Sequence, residues 1–497
     1  MKTAECMLTV LLMTFSLSLP TYSQDFWSGN PIAEFLDPNT ANAYHDFIVE
    51  TVIPALKKPN NNNPEGDTGV TVYDPARCWN GYTLLSSMSG HQEVADGPLC
   101  SAILVDMEGN LVKEWPLTGD PKKLLPGGYA VGSARTPDNK SAVTLMDWDG
   151  NVIWQLVCSY HHDFQREGNP VGYYAPGMEP LLNGGRTLVL GKISPDPNLT
   201  KHISDFPLSD DVFWEFDRDG KLVWEWNAWK HFEQMGFDEA GKDAIKRFRA
   251  GGSTNAGKSD WTHANCMSWV GPNKWYDQAD LRFHPDNIIF DFRSMDLIGI
   301  VARHDHPQGL WVSGDIVWRV GPNYSADYPE HKLGQIIGQH HAHVIPKGLP
   351  GAGNILTFDN GSYAGFGAVV PGLVRGASWN KHGDFSRVIE FDPITLDIVW
   401  EYRQQHPTAD LDGDGDIKGF ERKFFSALMS GAQRLENGNT MICEANSGRI
   451  FEVTREGDIV WEYISPYKGR IDAKFGNNSV YRAYRVPASW LPEGAVK

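Results

Sequence analysis

The stretch EFDRDGKLVWEW, residues 215–226, places an acidic residue and a glycine before an apolar pair and a tryptophan. The same unit recurs as LVDMEGNLVKEW (104–115), LMDWDGNVIW (145–154), SGDIVWRV (313–320), EFDPITLDIVWEY (390–402) and EVTREGDIVWEY (452–463), and only the copy at 390–402 lacks the glycine. In four copies the glycine lies four residues before the tryptophan: Gly150 and Trp154, Gly220 and Trp224, Gly314 and Trp318, Gly457 and Trp461. Each copy predicts a tight turn that joins two short strands.

A second element, a turn followed by an apolar strand, precedes several copies. It occurs as LLNGGRTLVLG (181–191), GAGNILTFDNG (351–361) and RLENGNTMICEA (434–445). Two hairpins supply about four strands, which is the content of one propeller blade. Six copies therefore predict an all-β fold, a six-bladed β-propeller with insertions and a short N-terminal extension. A β-sandwich with coincidental turns is the alternative architecture.

The N-terminal segment differs from the repeats. Residues 1–24 contain a lysine, an apolar run and a short polar end, the pattern of a secretory signal peptide cleaved near Ser23 or Gln24. Residues 25–68 form the predicted extension and linker, with a helix from about Thr40 to Ile53 that Pro54 ends. Residues 69–497 form the predicted propeller. We therefore expect an exported protein, periplasmic or secreted, without a membrane anchor.

Composition narrows the set of partners. The formal net charge is −18, which argues against nucleic acid or an anionic membrane as partner. Five cysteines follow the signal segment, too few and too scattered for a disulfide framework; the expected bridge joins Cys78 to Cys100, and no pair has zinc-ligand spacing. An anionic substrate would require local positive charge, which directs attention to histidine and arginine.

The glycines of the repeated turns give a common origin for counting. His263, His340 and Ser430 each lie eight residues before a turn glycine, Gly271, Gly348 and Gly438 respectively. The innermost strands of a propeller line its axis, so these three side chains are predicted to converge there. Asn265 would share the face of His263 because strand side chains alternate, and by the same rule His341 and His343 point away as structural residues.

Two further segments supply polar candidates. The run YHHDF contains His161 and His162 but does not fit the count, and the sequence leaves open which of the two faces the axis. Arg293 lies inside a predicted apolar strand, IIFDFRSMD (288–296), where its guanidinium should face an anion or a carboxylate. Donors predominate in this set and no carboxylate pair is evident. Such a site suits a tetrahedral oxyanion, toward which a neutral histidine can act as nucleophile.

These segments together resemble the bacterial arylsulfotransferase family, whose members use sulfate esters and no nucleotide cofactor. The resemblance is carried by HHDF (161–164), DWTHAN (260–265), FDFRSMD (290–296), GQHHAHVIPKGLPGAGNILTFDNG (338–361), SGAQRLENGNTMI (430–442) and YRAYRVP (481–487). It implies a six-bladed propeller and a ping-pong transfer from an aryl sulfate to a phenolic acceptor. It also implies a homodimer, which the short N-terminal extension leaves open.

The resemblance assigns roles position by position. It implies His340 as the nucleophile that forms a sulfohistidine, and it implies His263, Arg293 and His162 as further catalytic residues. Asn265 falls on the family's sulfuryl-binding asparagine. Ser430 stands where the family has a threonine, and His161 remains the alternative to His162.

A calcium-loop pattern stands apart from the repeats. DLDGDGDIKGFE (410–421) places carboxylates at the informative positions and a glycine at the sharp turn. The predicted ligands are Asp410, Asp412, Asp414, Asp416 and Glu421. Clustered carboxylates repel one another unless a hard cation lies between them, so we expect a structural calcium ion.

Two other functions are compatible with parts of the pattern. Quinoprotein dehydrogenases also repeat a glycine four residues before a tryptophan and bind calcium, but they have eight repeats and cofactor-binding residues that find no counterpart here. A non-catalytic ligand-binding propeller would use the aligned polar residues as channel lining.

Overall fold

The structure, a computed structural model, describes residues 68–87, 101–182, 185–250, 257–362, 366, 385–403, 424–467 and 478–495. The predicted signal peptide, almost all of the predicted extension, Cys100 and the predicted calcium loop lie outside these residues. Cys78 is a buried free thiol, and the bridge predicted between it and Cys100 involves a residue outside the described part of the chain. Within the described part, no helix is long and apolar enough to cross a membrane.

The described chain is built mainly from short strands. They are β1 (Gly69–Tyr73), β2 (Tyr82–Ser87), β3 (Ser101–Val105), β4 (Leu111–Trp115), β5 (Gly119–Leu125), β6 (Tyr129–Arg135), β7 (Ser141–Met146), β8 (Val152–Val157), β9 (Phe164–Arg166), β10 (Thr187–Ile193), β11 (Asp210–Phe216), β12 (Leu222–Asn227), β13 (Ala264–Trp269), β14 (Ile288–Phe292), β15 (Leu297–Val301), β16 (Ile316–Val320), β17 (His340–Val344), β18 (Ile355–Asp359), β19 (Arg387–Phe391), β20 (Ile398–Tyr402), β21 (Gly431–Arg434), β22 (Thr440–Glu444), β23 (Arg449–Val453), β24 (Ile459–Ile464) and β25 (Val480–Val486).

Helical segments are few and lie in the connections. The α-helices are Pro197–Thr200, Glu239–Arg247 and Lys274–Asp277, and the 3₁₀ segments are Ala228–Met235, Leu281–Phe283, Arg293–Met295, Pro329–Leu333, Ala445–Ser447 and Ala488–Trp490. The largest insertion follows β12, where Ala228–Met235 and Glu239–Arg247 pack on the outside through Phe232, Met235 and Ile245.

The strands form six antiparallel sheets, which confirms the predicted six-bladed propeller. Blade 1 has the strand order β25-β2-β3-β4, blade 2 β5-β6-β7-β8, blade 3 β9-β10-β11-β12, blade 4 β13-β14-β15-β16, blade 5 β17-β18-β19-β20 and blade 6 β21-β22-β23-β24, with β1 added outside β24. The first strand of each order is innermost, and the inner strands contact one another across neighbouring blades. The last strand of the chain, β25, thus completes the first blade.

The repeated unit is the hairpin between the third and fourth strands of a blade, as predicted. In three copies an aspartate carboxylate accepts from the backbone N–H four residues on, as Asp147 does from Asn151 at 2.8 Å, and the turn glycine has a positive φ, 89° at Gly150. Where the copy at 390–402 lacks glycine, Leu396 adopts φ 58° instead. The glycine is therefore selected by the left-handed backbone conformation that the turn needs.

A tryptophan of the unit joins neighbouring blades in five copies, four residues after the turn residue in three of them and two residues later at Trp115 and Trp226. Trp115, Trp226, Trp318, Trp400 and Trp461 each donate their indole N–H to a backbone carbonyl in the corresponding turn of the next blade, at 2.8–2.9 Å, the acceptors being Asp147, Gly314, Pro393, Arg455 and Met107. A buried indole N–H requires such a partner. Five of the six seams between blades are thus closed by the same residue type, which explains why tryptophan recurs with the turn.

Candidate active site

The inner strands of four blades each bring one polar side chain to the same end of the propeller axis. The first two strands of each blade form a hairpin, and the pair of residues nearest its turn serves as a reference. These pairs are Arg166 with Thr187, Trp269 with Ile288, Val344 with Ile355 and Arg434 with Thr440. The residues four positions before the first member of each pair are His162, Asn265, His340 and Ser430. These four residues lie at the same count from the last pair in blades 3 to 6, with a bulge within that count in β13 and in β17, and we call this end of the axis the site face.

The second strands of the blades contribute a matching set. The residues five positions after Thr187, Ile288 and Ile355 are Lys192, Arg293 and Asn360. Two cations and an amide therefore stand beside the inner-strand residues at the site face. Arg293 does not lie inside a strand as predicted, because β14 ends at Phe292 and Arg293 begins a 3₁₀ turn.

The register corrects the count from the turn glycines in two blades. Gly348 and Gly438 lie four residues beyond the last paired residue of β17 and β21, but Gly271 lies two residues beyond Trp269. Counted from the last strand pair, Asn265 rather than His263 lies as many residues back as His340 does, and a bulge interrupts each of the two strands. His263 lies two residues earlier, at φ 46°, and enters the site from the loop before β13. His162, which did not fit the glycine count, does fit the register.

His340 is buried and held by hydrogen bonds at both ring nitrogens. Its Nδ1 lies 2.7 Å from the Asn360 Oδ1 and 3.1 Å from the Gly338 carbonyl, and both of these atoms are acceptors. Nδ1 therefore carries the proton, and the lone pair is on Nε2. The backbone N–H of Met429 donates to that Nε2 at 3.1 Å.

Asn360 is itself fixed by a hydrogen-bond network. Its Nδ2 donates to the Ser426 carbonyl at 2.6 Å, which assigns Oδ1 to the side that faces His340. The Ser430 hydroxyl donates to the same Oδ1 at 3.3 Å. The structure thus places Ser430 behind the amide that orients His340.

His263 is paired with a carboxylate that sequence reasoning missed. Its Nδ1 lies 2.5 Å from Asp260 Oδ2, and the other oxygen of Asp260 accepts from Lys192 Nζ. Because Asp260 faces Nδ1, the Nε2 of His263 is the atom available toward the centre. Burial and the charge of Arg293 lower the pKa of His263 to about 4, against the opposing charge of Asp260, so the ring is neutral near pH 7.

The structure separates the two histidines of YHHDF. The His162 ring centroid lies 5.1 Å from that of His263, so His162 joins the central group. His161 lies behind it, with Nε2 near Asp211 Oδ1 at 3.0 Å and Nδ1 near the His162 Nδ1 at 2.6 Å.

Asn265 is fully buried and only partly satisfied. Its Nδ2 donates to the Gln339 carbonyl at 3.0 Å, next to His340 in the chain. Its Oδ1 is buried and has no hydrogen-bond partner within the described residues. Arg482, from the last strand, donates to the Asn265 carbonyl and to Asp163, so the C-terminal strand supports this side of the site.

His341 and His343 lie on the other side of β17, as predicted. Their ring centroids are 4.6 Å apart, and the Tyr173 hydroxyl lies 2.8 Å from His343 Nε2. Burial is the main cause that lowers the pKa of His343 to about 4. This second group packs deeper along the axis, among Tyr173, Tyr484 and Arg482.

The central histidines share one electrostatic environment. Burial lowers the pKa of His340 well below its ordinary value, and the charge of Arg293 is the next largest cause. Burial followed by the charges of His161 and His263 lowers the pKa of His162 well below its ordinary value as well. The site therefore presents neutral imidazoles next to the permanent cations Arg293 and Lys192, which is an arrangement that attracts an anion.

Lys192, Asp260 and Asn360 are the residues that sequence reasoning missed at this site. Asp260 precedes His263 by three residues, and Asn360 lies in the FDNG segment already quoted. Lys192 and Arg293 share a position in the blade, but they become equivalent only when the strand pairs are known. The predicted calcium ligands lie outside the described residues.

The fold and this site define a six-bladed propeller with a cationic, histidine-lined centre at one end of its axis. The family model described as Arylsulfotransferase (ASST) matches residues 182–466. The chain belongs to the arylsulfotransferase family. Membership supports aryl sulfotransferase activity in general, with an aryl sulfate and a phenol as small-molecule substrates.

Other comparisons add little. No curated protein matches the chain. Similar solved structures include a protein of unknown function from Bacteroides caccae (11% identity, 82% of this chain and 99% of that chain, TM-score 0.38), apo AztD from Citrobacter koseri (12%, 82% and 98%, 0.34) and virginiamycin B lyase from Staphylococcus aureus (11%, 81% and 87%, 0.31). At these TM-scores the similarity is too weak to support an inference about the function of this chain.

Proposed function

We propose that the protein transfers a sulfuryl group from an aryl sulfate to a phenolic acceptor in two steps, through a sulfohistidine at His340. The observation that carries the proposal is the hydrogen bonding of this ring, from which its tautomer follows. The two acceptors at Nδ1, Asn360 Oδ1 and the Gly338 carbonyl, leave the lone pair on Nε2, and the lowered pKa keeps the ring neutral. A neutral imidazole with a fixed tautomer needs no deprotonation before it attacks.

The lone pair on the Nε2 of His340 already accepts a hydrogen bond in the structure. The Met429 N–H donates to Nε2 at 3.1 Å, so attack on sulfur requires that this hydrogen bond be released. Met429 adopts φ 57°, an uncommon conformation for a non-glycine residue, next to the segment that follows the predicted calcium loop. We infer that donor binding displaces the Met429 amide from the ring.

Positive charge at the site supports binding of a sulfate ester. Arg293 offers paired donors in a rigid fork, and Lys192 adds a second cation beside the Asp260–His263 pair. Asn265 has a second N–H beyond the one given to Gln339, and His162 faces the same centre. In this proposal these groups hold the three sulfuryl oxygens while the bond between sulfur and the leaving oxygen breaks.

His263 is the proposed proton carrier. In the first step a bond forms between His340 Nε2 and sulfur, the ester S–O bond breaks, and His263 Nε2 gives a proton to the departing phenolate. In the second step the acceptor phenol returns a proton to His263 while its oxygen takes the sulfuryl group from His340. One residue can serve both steps because the two half-reactions mirror each other.

The resting state of His263 suits the second step directly. With a pKa of about 4 the ring is an unprotonated base near neutral pH. In the first step it must carry a proton, and the negative charge of a bound sulfate ester favours that form by opposing Arg293. Donors with stable phenolate leaving groups need this proton least, so we expect them to react fastest.

We further propose that the protein is exported through residues 1–24 and that calcium binds at 410–421 as a structural ion. Both rest on sequence patterns alone. Mass measurement of the secreted chain tests the first, because signal removal predicts a mature N-terminus near Gln24. The calcium proposal is tested by thermal unfolding.

The decisive experiment supplies an aryl sulfate without an acceptor. The enzyme is digested at mildly alkaline pH, and the masses of the peptides are measured by mass spectrometry. We expect one sulfuryl group on the peptide that contains His340, removed by adding a phenol and absent from the His340→Ala variant. His341→Gln serves as the matched control and should still label. A label on another residue, or turnover without any label, would reject the sulfohistidine, and absence of all turnover would favour a binding propeller.

A further inference from the structure

A cluster of two histidines and an aspartate lies at the end of blade 4 opposite the site face. His284 and Asp286 lie between the 3₁₀ segment Leu281–Phe283 and β14, and His304 follows β15. The pairing of Ile288 with Val301 brings these two connections side by side. Arg293 begins at the other end of β14, so the five residues of this strand separate the cluster from the candidate active site by ~17 Å.

The three side chains have the spacing of a metal site. One ligand atom from each of His284, Asp286 and His304 lies within 4.8 Å of the other two. The His304 Nε2 and Asp286 Oδ2 are 3.0 Å apart, and the two imidazole centroids are 4.9 Å apart. Bonds of about 2.0–2.1 Å in a tetrahedral zinc site put ligand atoms ~3.3 Å from each other. The distance of 3.0 Å between His304 and Asp286 is close to this value. The side chain of His304 is exposed, so a change of its rotamer can shorten the other distances.

The carboxylate is oriented from behind by a neighbouring blade. Arg186, which precedes β10 in blade 3, donates to Asp286 Oδ1 at 3.1 Å, so Oδ2 is turned toward the histidines. Hydrogen bonds of this kind to the outer oxygen are the usual support of a metal-ligating carboxylate.

The charge around the cluster leaves room for a cation. Arg186 also pairs with Glu167 and Glu215, and Arg303 pairs with Glu215. Three carboxylates, those of Glu167, Glu215 and Asp286, therefore face two guanidinium groups. One negative charge remains uncompensated, and it favours a bound dication.

His284 presents an unprotonated nitrogen. The backbone N–H of Asp286 donates to its Nδ1 at 3.1 Å, which identifies that nitrogen as the one without a proton. Coordination requires a nitrogen lone pair, and metal binding would replace this hydrogen bond.

We propose that His284, Asp286 and His304 form a binding site for a divalent transition metal of the zinc type, with water as the fourth ligand. Two imidazoles and one carboxylate favour zinc or cobalt over calcium, which takes oxygen ligands. The site joins the two connections of blade 4 and, through Arg186, blade 3. It is separate from the candidate active site, because it lies at the opposite end of the blade.

Cobalt(II) is the probe, because its visible spectrum reports coordination number. The full-length mature chain is stripped with chelator and kept in excess calcium, so that the predicted calcium loop does not compete. Calorimetry and absorbance are then recorded for the wild type, His304→Gln and the double variant His284→Gln/His304→Gln. His306→Gln, a half-buried histidine two residues away, is the matched control. His304 is 53% exposed, so its variant should fold.

The expected result is one cobalt ion per chain with a four-coordinate spectrum in the wild type and in His306→Gln. Affinity should fall at least tenfold in His304→Gln and binding should vanish in the double variant, while aryl sulfotransferase activity is retained by both. Zinc should raise the melting temperature only where cobalt binds. No binding by the wild type, or equal binding by the double variant, would overturn the proposal. Loss of binding in His162→Gln instead would move the metal to the axial histidines and overturn it too.

Discussion

The Nδ1 of His340, the first residue of β17, lies 2.7 Å from the Oδ1 of Asn360, which directly follows the paired strand β18 in blade 5. This contact fixes which ring nitrogen holds the proton and which holds the lone pair, so the nucleophile proposed here depends on an amide that never contacts the sulfuryl group. Asn360 is a positioning residue in this scheme.

Two replacements of Asn360 test whether this residue acts by orienting the ring of His340 or only by supporting the fold. Asn360→Ala removes the acceptor, frees the His340 ring and should lower kcat by about 10². Asn360→Asp keeps an acceptor but adds a negative charge that raises the pKa of His340, so the acid limb of the kcat profile should move to higher pH. Rate against pH for the three proteins is the measurement. An Asn360→Asp profile that overlies the wild type would show that Asn360 does not act through His340.

Arg293 should not tolerate lysine. Arg293→Lys keeps the charge but loses the fork of paired donors, and removal of one preorganised donor commonly costs about 10²–10³ in rate. Steady-state kinetics with a chromogenic aryl sulfate measures the loss, with Arg218→Lys as the exposed control. A fully active Arg293→Lys enzyme would exclude the guanidinium from sulfuryl binding.

Asp260 should affect the two half-reactions unequally. In Asp260→Asn the charge that raises the pKa of His263 is lost, so His263 becomes a weaker base for the acceptor phenol. Acceptor-dependent turnover should fall by about 10², whereas the initial burst of a good phenolate leaving group should persist. Rapid-mixing kinetics resolves the two phases. Equal losses in both would instead indicate that Asp260 only holds the shape of the site.

The buried histidines predict how stability depends on pH. His343 titrates near 4 in the folded chain because it is buried, against about 6.5 when unfolded, so its contribution is present above pH 6.5 and is lost as the pH falls toward 4. A shift of this size corresponds to roughly 3 kcal/mol. His343→Gln should therefore flatten the decline of the melting temperature between pH 6.5 and 4, and the exposed His202→Gln should not. An unchanged slope would contradict the buried, neutral state of His343.

Calcium should stabilise the chain through residues 410–421. At one hundred times the dissociation constant, a ligand bound only by the folded state adds about 3 kcal/mol, so the melting temperature should rise with calcium. Glu421→Gln removes a predicted ligand and should abolish the rise. Identical melting curves in calcium and in chelator would refute the site.

Local features of this fold were predictable, and distances between segments were not. The hairpin of each repeat follows from a glycine and an aspartate that act within four residues, as Gly150 and Asp147 do. The role of the tryptophans, by contrast, depends on carbonyls 32 to 354 residues away in the chain. Sequence can show that Trp461 recurs, but the structure is needed to find its partner at Met107.

The same limit explains the errors at the candidate site. Counting from the turn glycine assumes that the loops of all inner hairpins have the same length. The loop of blade 4 differs, because Gly271 follows the last paired residue of its strand by two residues, whereas Gly348 follows that of blade 5 by four. The count therefore aligned His263 with His340, whereas Asn265 is the residue that lies four positions before the last pair of its strand, as His340 does. It succeeded for His340 and Ser430, whose hairpins match.

The order in which the chain is synthesised bears on when the protein becomes active. β25, the penultimate described segment, is the inner strand of blade 1, and it brings Arg482 to Asp163 and the Tyr481 hydroxyl to the His162 carbonyl. Until Val480–Val486 emerges, β2 has an unpaired edge and the ring stays open. Assembly is thus completed by β25, so a nascent chain that still lacks this strand is prone to aggregate and inactive, and catalytic competence arrives together with closure.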